Sequence, residues 1–293
     1  MKGLPFYLVD VFAEEKYTGN QLDVVRNAVA LSSAQMQRVA NEMHLSETTF
    51  ILSDEKRNGG YDVRVFTPST ELPFAGHPTL GTAYVIRDSI VDKAVKKVVL
   101  NLKVGQIPVT FEKNGESETV WMKQIPPVFG KTFDAAKISR VLNLRIGDFD
   151  REHPIQEVST GVPFIIVPLK TLDAVKRATV DKDKRLELAK ETQAEILIFC
   201  PETYKRENNL NVRVFVDLLG IPEDPATGSG NGCLAAYLSH HHYFGEDTVN
   251  TRVEQGYEIG RPSLLQLKAE KREGKIQVHV GGKVVAVATG KLV

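Results

Sequence analysis

A mixed α and β chain built as two structurally related lobes is the fold the sequence predicts, and three observations carry it. One order of elements occurs twice, apolar runs and turns alternate between the repeats, and the composition is that of an ordinary globular protein. The chain has 293 residues, with 37 Lys+Arg against 37 Asp+Glu and a formal net charge of zero. With a pI near 7.1 it carries no general attraction for nucleic acid or an anionic membrane, and neither is expected as a partner. No window approaches the ~18 apolar residues of a membrane span, and the apolar start is too short for a signal peptide. The expectation is therefore a cytoplasmic protein of two domains.

The elements follow in order. Residues 32–44 read as an amphipathic helix, because Met36, Val39, Ala40 and Met43 recur at i, i+3, i+4 and i+7, and Ser32 or Ser33 caps it. Strands are predicted at 48–52 and, after the Gly59-Gly60 turn, at 61–66. A Pro/Gly loop at 73–78 then opens into an apolar helix-like run through Ile86. The second half repeats this order with a helix at 181–193, strands at 195–200 and 211–215, a Gly-rich loop at 224–230 and an apolar run at 234–238. Arg64-Val65-Phe66 matches Arg213-Val214-Phe215 at an offset of 213 − 64 = 149, and Pro73-x-x-Gly76 matches Pro225-x-x-Gly228 at 225 − 73 = 152. Further strands are expected within 98–111 and at 119–124, 263–269, 275–280 and 284–288, joined by short turns that favour curved antiparallel sheets over a parallel βαβ array. Pro126-Pro127 and the stretch to Gly130 read as the linker.

The two Gly-rich loops offer the clearest chemistry. Each sets glycine and a small polar residue before a predicted helix, where free amides and the helix dipole favour a carboxylate or another anion. One such loop alone reads as an ordinary helix start. As a pair, with His77 in one and Ser229 in the other, they suggest a ligand held in a cleft between the lobes. Neither matches a phosphate-cradling or dinucleotide pattern, so ATP and NAD are not implied. Glu47, at the join of helix and strand, would be a raised-pKa acid/base if that join is enclosed, although on the residues alone a solvated turn is the stronger reading. Asp224 either positions a substrate group or stabilises its turn. His240-His241-His242 lacks metal-ligand spacing and reads as a polar helix end, so no metal is expected. Cys200 reads as core, and Cys233 sits early in a helix where a thiolate is favoured but no partnering His is evident.

Asp10-Val11-Phe12, Gly19-Asn20, Ser46-Glu47-Thr48, Phe66-Thr67-Pro68, the block from Glu71 through Pro73-Phe74-Ala75-Gly76-His77-Pro78-Thr79, and Glu223-Asp224-Pro225-Ala226-Thr227-Gly228-Ser229 together resemble the phenazine biosynthesis-like (PhzF) family. Gln255-Gly256, Gly260-Arg261-Pro262-Ser263 and Gly281-Gly282 extend the resemblance over essentially the whole chain. It implies the diaminopimelate epimerase-like fold, α+β, with two pseudo-symmetric lobes that each wrap a barrel-like, mostly antiparallel sheet around a central helix. The expected lobes are residues 1–125 plus about 284–293, and residues 126–283, the last strand crossing back to the first lobe. The resemblance also implies a cofactor-free isomerase that moves a proton on a small carboxylate-bearing substrate, a dihydro-hydroxyanthranilate in the phenazine enzyme. The family's acid/base carries over to Glu47, and its binding residues to Ser46, Gly76, His77, Asp224, Thr227, Gly228 and Ser229. A homodimer is the expected assembly.

The epimerase relatives use one Cys per lobe, at positions that fall on Ala75 and Thr227 here, which disfavours two-thiol racemisation. The remaining alternative is a ligand-binding or protein-interaction scaffold of the same fold without turnover. Gly19-Asn20-Gln21-Leu22-Asp23 departs from the family, which often has Gly-Asn-Pro and a small apolar residue in place of Asp23; the segment is expected to lie away from the chemical blocks and to bear on fine substrate specificity rather than on the reaction. Whether Glu195, the repeat partner of Glu47, has a role is left open.

Overall fold

The computed structural model describes residues 3–91, 94–115, 117–219 and 221–293. The chain divides into two compact units: residues 1–123 with 281–293, and residues 124–280. The first unit contains β1 (Leu4–Val11), β2 (Asn20–Arg26), α1 (Ser33–Met43), β3 (Thr48–Ile51), β4 (Tyr61–Phe66), the short β5 (Glu71–Leu72), α2 (Gly76–Ser89), β6 (Lys97–Leu102), β7 (Gly105–Asn114) and β8 (Ser117–Lys123). The second contains β9 (Val128–Phe133), α3 (Ala135–Val141), β10 (Ile155–Ser159), β11 (Pro163–Pro168), α4 (Leu172–Arg177), α5 (Lys182–Ala189), β12 (Glu195–Cys200), β13 (Leu210–Val216), β14 (Ile221–Asp224), α6 (Gly228–His240), β15 (Val249–Gln255) and β16 (Ser263–Arg272). After β17 (Lys275–Gly282) the chain returns to the first unit as β18 (Val284–Leu292), antiparallel to β1 along its whole length.

The pairing senses repeat. In the first unit β1–β2 is antiparallel, β2–β3 parallel, β3–β4 antiparallel, β4–β6 parallel and β6–β7 antiparallel. In the second, β10–β11, β11–β12, β12–β13, β13–β15 and β15–β16 run through the same series. Register refines the match. Phe66 opposes Thr48 and Phe215 opposes Ile196, so Thr48 corresponds to Ile196 and Glu47 to Glu195.

Each sheet wraps a central helix. α2 touches β1, β2, β3, β6, β7, β8 and β18, and α6 touches β10, β11, β15 and β16. Both helices are buried nearly all round, which accounts for apolar runs without an amphipathic stripe. Gly81 lets α2 lie this close, since a Cβ there would sit 2.6 Å from Leu22 Cδ2 and 2.9 Å from Val11 Cγ2. α1 instead covers the outer face of its sheet, and Met36 and Ala40 pack on Val25, Phe50 and Phe66. Its start is the capping box of Ser32 and Gln35.

Several expectations change in detail. Val128 to Gly130, read as linker, begins β9 instead, because strand pairing with β10 absorbs the turn residues. α5 ends at Ala189, and both central helices begin at the glycine inside their loops. Among the described residues no helix is long and apolar enough to cross a membrane.

Candidate active site

In the first unit, Ser46 and Glu47 precede β3, while Gly76 and His77 form the first turn of α2. The Glu47 side chain is 17% exposed, and its Oε2 lies 3.4 Å from His77 Nε2. The solvated-turn reading of Glu47 gives way here: β3 carries it against the helix start, and Ser46 beside it is half-buried. The other imidazole nitrogen, Nδ1, is 3.3 Å from Asn20 Nδ2. Burial pushes His77 down to about 3, outweighing an opposing backbone hydrogen bond at Gln21. The ring is therefore neutral at physiological pH, and the pair is not an ion pair.

In the second unit, Asp224 ends β14, Thr227 is the N-cap of α6, and Gly228 and Ser229 are its first residues. A directed chain of hydrogen bonds sets this loop. Buried Asn231 donates from Nδ2 to Gln255 Oε1 (2.8 Å), Gln255 Nε2 donates to Thr227 Oγ1 (3.0 Å) and to the Asp224 carbonyl (2.8 Å), and Thr227 Oγ1 donates to Asp224 Oδ2 (2.5 Å). The Thr227 amide also donates to Gln255 Oε1, at 3.2 Å. Gly256 closes the loop from behind at φ +79, with space for no Cβ because one would sit 2.6 Å from the Pro225 carbonyl oxygen. The amides of Gly228, Ser229 and Gly230 have no acceptor in the helix behind them, and they sit at its positive end. α2 offers only Gly76 and His77 in this way, since its third residue is Pro78.

The repeat also builds the supports. Arg64 holds Glu71 with two hydrogen bonds of 2.8 and 2.7 Å, and Arg213 holds Glu223 with two of 3.0 and 2.7 Å. Each guanidinium lies over the Phe two residues on, at 5.0 Å for Phe66 and 4.9 Å for Phe215. These pairs anchor the strands that lead into the two loops. The N-caps of the central helices are Ala75 and Thr227.

Sequence reasoning gave no role to Asn20, Asn231 or Gln255, and it misplaced Asp23. Parallel pairing sets Asp23 opposite Thr48, one residue from Glu47, although Asp23 and Glu47 are 47 − 23 = 24 positions apart in the chain. Burial pushes the Asp23 carboxyl up to about 7. Cys233, placed where a thiolate is favoured, is instead buried beside Thr160, and burial pushes its thiol up to about 12. The histidine run is packing more than a polar end: His240 stacks on Phe129 at 4.1 Å and His241 bonds Gln156 at 2.8 Å.

The profile of the phenazine biosynthesis-like protein family matches residues 9–290. A trans-2,3-dihydro-3-hydroxyanthranilate isomerase of Pseudomonas fluorescens is 35% identical over 293 residues, covering 98% of this chain and 99% of that one. An uncharacterised isomerase of Mesorhizobium japonicum is 32% identical, covering 98% of both chains. The crystal structure of a phenazine biosynthesis protein of the PhzF family from Bacillus anthracis superposes with a TM-score of 0.92 at 28% identity and covers 100% of both chains.

Proposed function

The chain belongs to the phenazine biosynthesis-like family and is an isomerase of that type, and from this premise we propose that it shifts a proton between two carbons of a small carboxylate-bearing metabolite, with Glu47 as the acid/base and no cofactor. The observation that carries the reading is Glu47 Oε2 standing 3.4 Å from a neutral His77 at the start of a buried helix. In this reading ionised Glu47 takes a proton from a carbon made acidic by conjugation with the substrate carboxylate. The C–H electron pair moves into the conjugated system, a double bond shifts, and the new carboxylic acid returns the proton to another carbon. Within each unit by itself, the amides at the start of the central helix are suited to a carboxylate, and in the second unit Asp224, aligned by Thr227, is suited to a hydroxyl or amine. The likeness to the Pseudomonas fluorescens enzyme supports a cyclic amino- or hydroxy-substituted carboxylate as the substrate class.

The test offers trans-2,3-dihydro-3-hydroxyanthranilate and a panel of small unsaturated carboxylates in D2O. Glu47→Gln keeps the shape but loses the titrating oxygen, so turnover should fall by roughly 10²–10⁴-fold with ligand affinity little changed. Deuterium should also stop entering product and returned substrate. Exchange at the wild-type rate in Glu47→Gln would remove Glu47 as the base, and equal loss of binding and turnover would make it a positioning residue.

A further inference from the structure

The hydrogen bonds at the start of α6 all run one way, and the backbone sets the direction. A side-chain amide can present its oxygen or its nitrogen, but a peptide N–H only donates and a peptide carbonyl only accepts. The Thr227 N–H therefore fixes Gln255 Oε1, 3.2 Å away, and the Asp224 carbonyl fixes Nε2 at 2.8 Å. The Thr227 carbonyl, 3.1 Å from Asn231, likewise fixes Nδ2, which also donates to Gln255 Oε1 at 2.8 Å. Both amides are fully buried, and neither can turn over without losing these bonds. Gln255 Nε2 then occupies Thr227 Oγ1 as a donor at 3.0 Å, and the single hydroxyl proton of Thr227 goes to Asp224 Oδ2 at 2.5 Å. A proton on Asp224 Oδ2 would meet that hydroxyl proton head on, so the relay favours the carboxylate.

The first unit starts this arrangement and does not complete it. At the offset of 152, Leu72 stands for Asp224 (224 − 152 = 72), Ala75 for Thr227 (227 − 152 = 75) and Thr79 for Asn231 (231 − 152 = 79). Thr79 Oγ1 donates to the Ala75 carbonyl at 2.7 Å, as Asn231 does to that of Thr227. Ala75 has no hydroxyl to carry a proton further, and Leu72 has no carboxyl to receive one.

We propose that Gln255 is a positioning residue, which together with Asn231 holds Asp224 as a hydrogen-bond acceptor toward the substrate. Its bearing on substrate rests on the isomerase reading, whereas the lock on Asp224 rests on the bonds of the second unit alone. Glu223, next to Asp224 in the chain, is held by two bonds from Arg213 and forms a constant background in the variants below.

The test follows the Asp224 carboxyl by 13C NMR in the full-length protein labelled at its aspartate side chains, with Asp224→Asn to assign the resonance. Thr227→Val removes the last donor and should move the titration midpoint of Asp224 up by roughly 1–2 pH units, the worth of one hydrogen bond to a charged group. Thr227→Ser should keep the wild-type midpoint. Gln255→Glu turns the middle of the relay into an acceptor that draws the Thr227 proton away from Asp224. In that background Thr227→Val should add little, whereas a merely additional charge would leave its effect whole. Gln255→Leu removes the donor without adding charge and makes the same comparison if Gln255→Glu does not fold. On a substrate from the D2O panel, Gln255→Glu should raise KM about tenfold or more and change kcat less. An undiminished Thr227→Val effect in the folded Gln255 variant overturns the proposal. So does a Thr227→Ser midpoint as high as that of Thr227→Val, or an unchanged KM in Gln255→Glu. The NMR comparison needs no substrate, so its failure leaves Glu47 as the base, and failure of the Glu47→Gln exchange test leaves the lock on Asp224 standing.

Discussion

Asp23 is a carboxyl in strand β2. It is fully buried one strand from Glu47, and burial holds it at about 7 against an ordinary 3.8. Between those values the folded state is the better proton binder. Stability therefore falls as pH rises from about 4 to about 7, and Asp23 contributes no further slope above that. Asp23→Ala removes the effect. The melting temperature of the variant relative to wild type should rise steadily from pH 5 to pH 7 and then level off, a gain on the order of 2–3 kcal/mol. A difference that stays constant with pH would mean that Asp23 ionises normally. The motif blocks could not show this placement, because only the β2–β3 pairing brings Asp23 beside Thr48. Glu47 and His77 were legible as types by resemblance, but the neutral state of His77 comes from burial that no local pattern encodes.

The two Arg–Glu supports are one element pair in two degrees of burial. Arg64 and Glu71 side chains are 23% and 16% exposed, Arg213 and Glu223 10% and 7%. Arg213 Nη1 also donates to the carbonyls of Val175, Lys176 and Ala178 at the end of α4. Arg213→Leu would leave a buried carboxylate and the carbonyls of Lys176 and Ala178 without this donor, while Val175 keeps the Ala178 amide, at a cost of about 3–5 kcal/mol. Arg64→Leu leaves Glu71 with Lys103 at 2.7 Å and more water, and should cost clearly less in a denaturant titration. Equal losses would show that burial does not set the difference. These elements were largely legible, since the repeated Arg-Val-Phe and the apolar strands at 61–66 and 195–200 carry strong local patterns. β9, β10 and β11 were missed because their residues show little alternation, and α6 was cut short because a helix buried all round and opening on three glycines has no stripe to read.

At the scale of the whole molecule, the second unit is continuous in sequence while the first is completed by the last strand of the chain. β1 cannot pair with β18 until the ends of a 293-residue chain meet, and such closure is slow compared with local pairing. The second unit shortens that search. Within it the Gln124 amide donates to the Val278 carbonyl at 2.9 Å, so its folding brings its entry and exit points together. After that, only a few residues separate the end of β8 at Lys123 from the start of β18. The second unit is therefore expected to fold first and template the first. In pulse-labelling hydrogen exchange, amides of β12 and β13 should become protected before those of β1 and β18. Ile198→Ala, a core lesion in the second unit, should delay protection in both units. Val9→Ala, in the core of the first, should delay only β1 and its neighbours. If β1 and β18 gain protection as early as β12, or if Ile198→Ala leaves their rate unchanged, the two units fold independently and the return of the chain plays no part in the order.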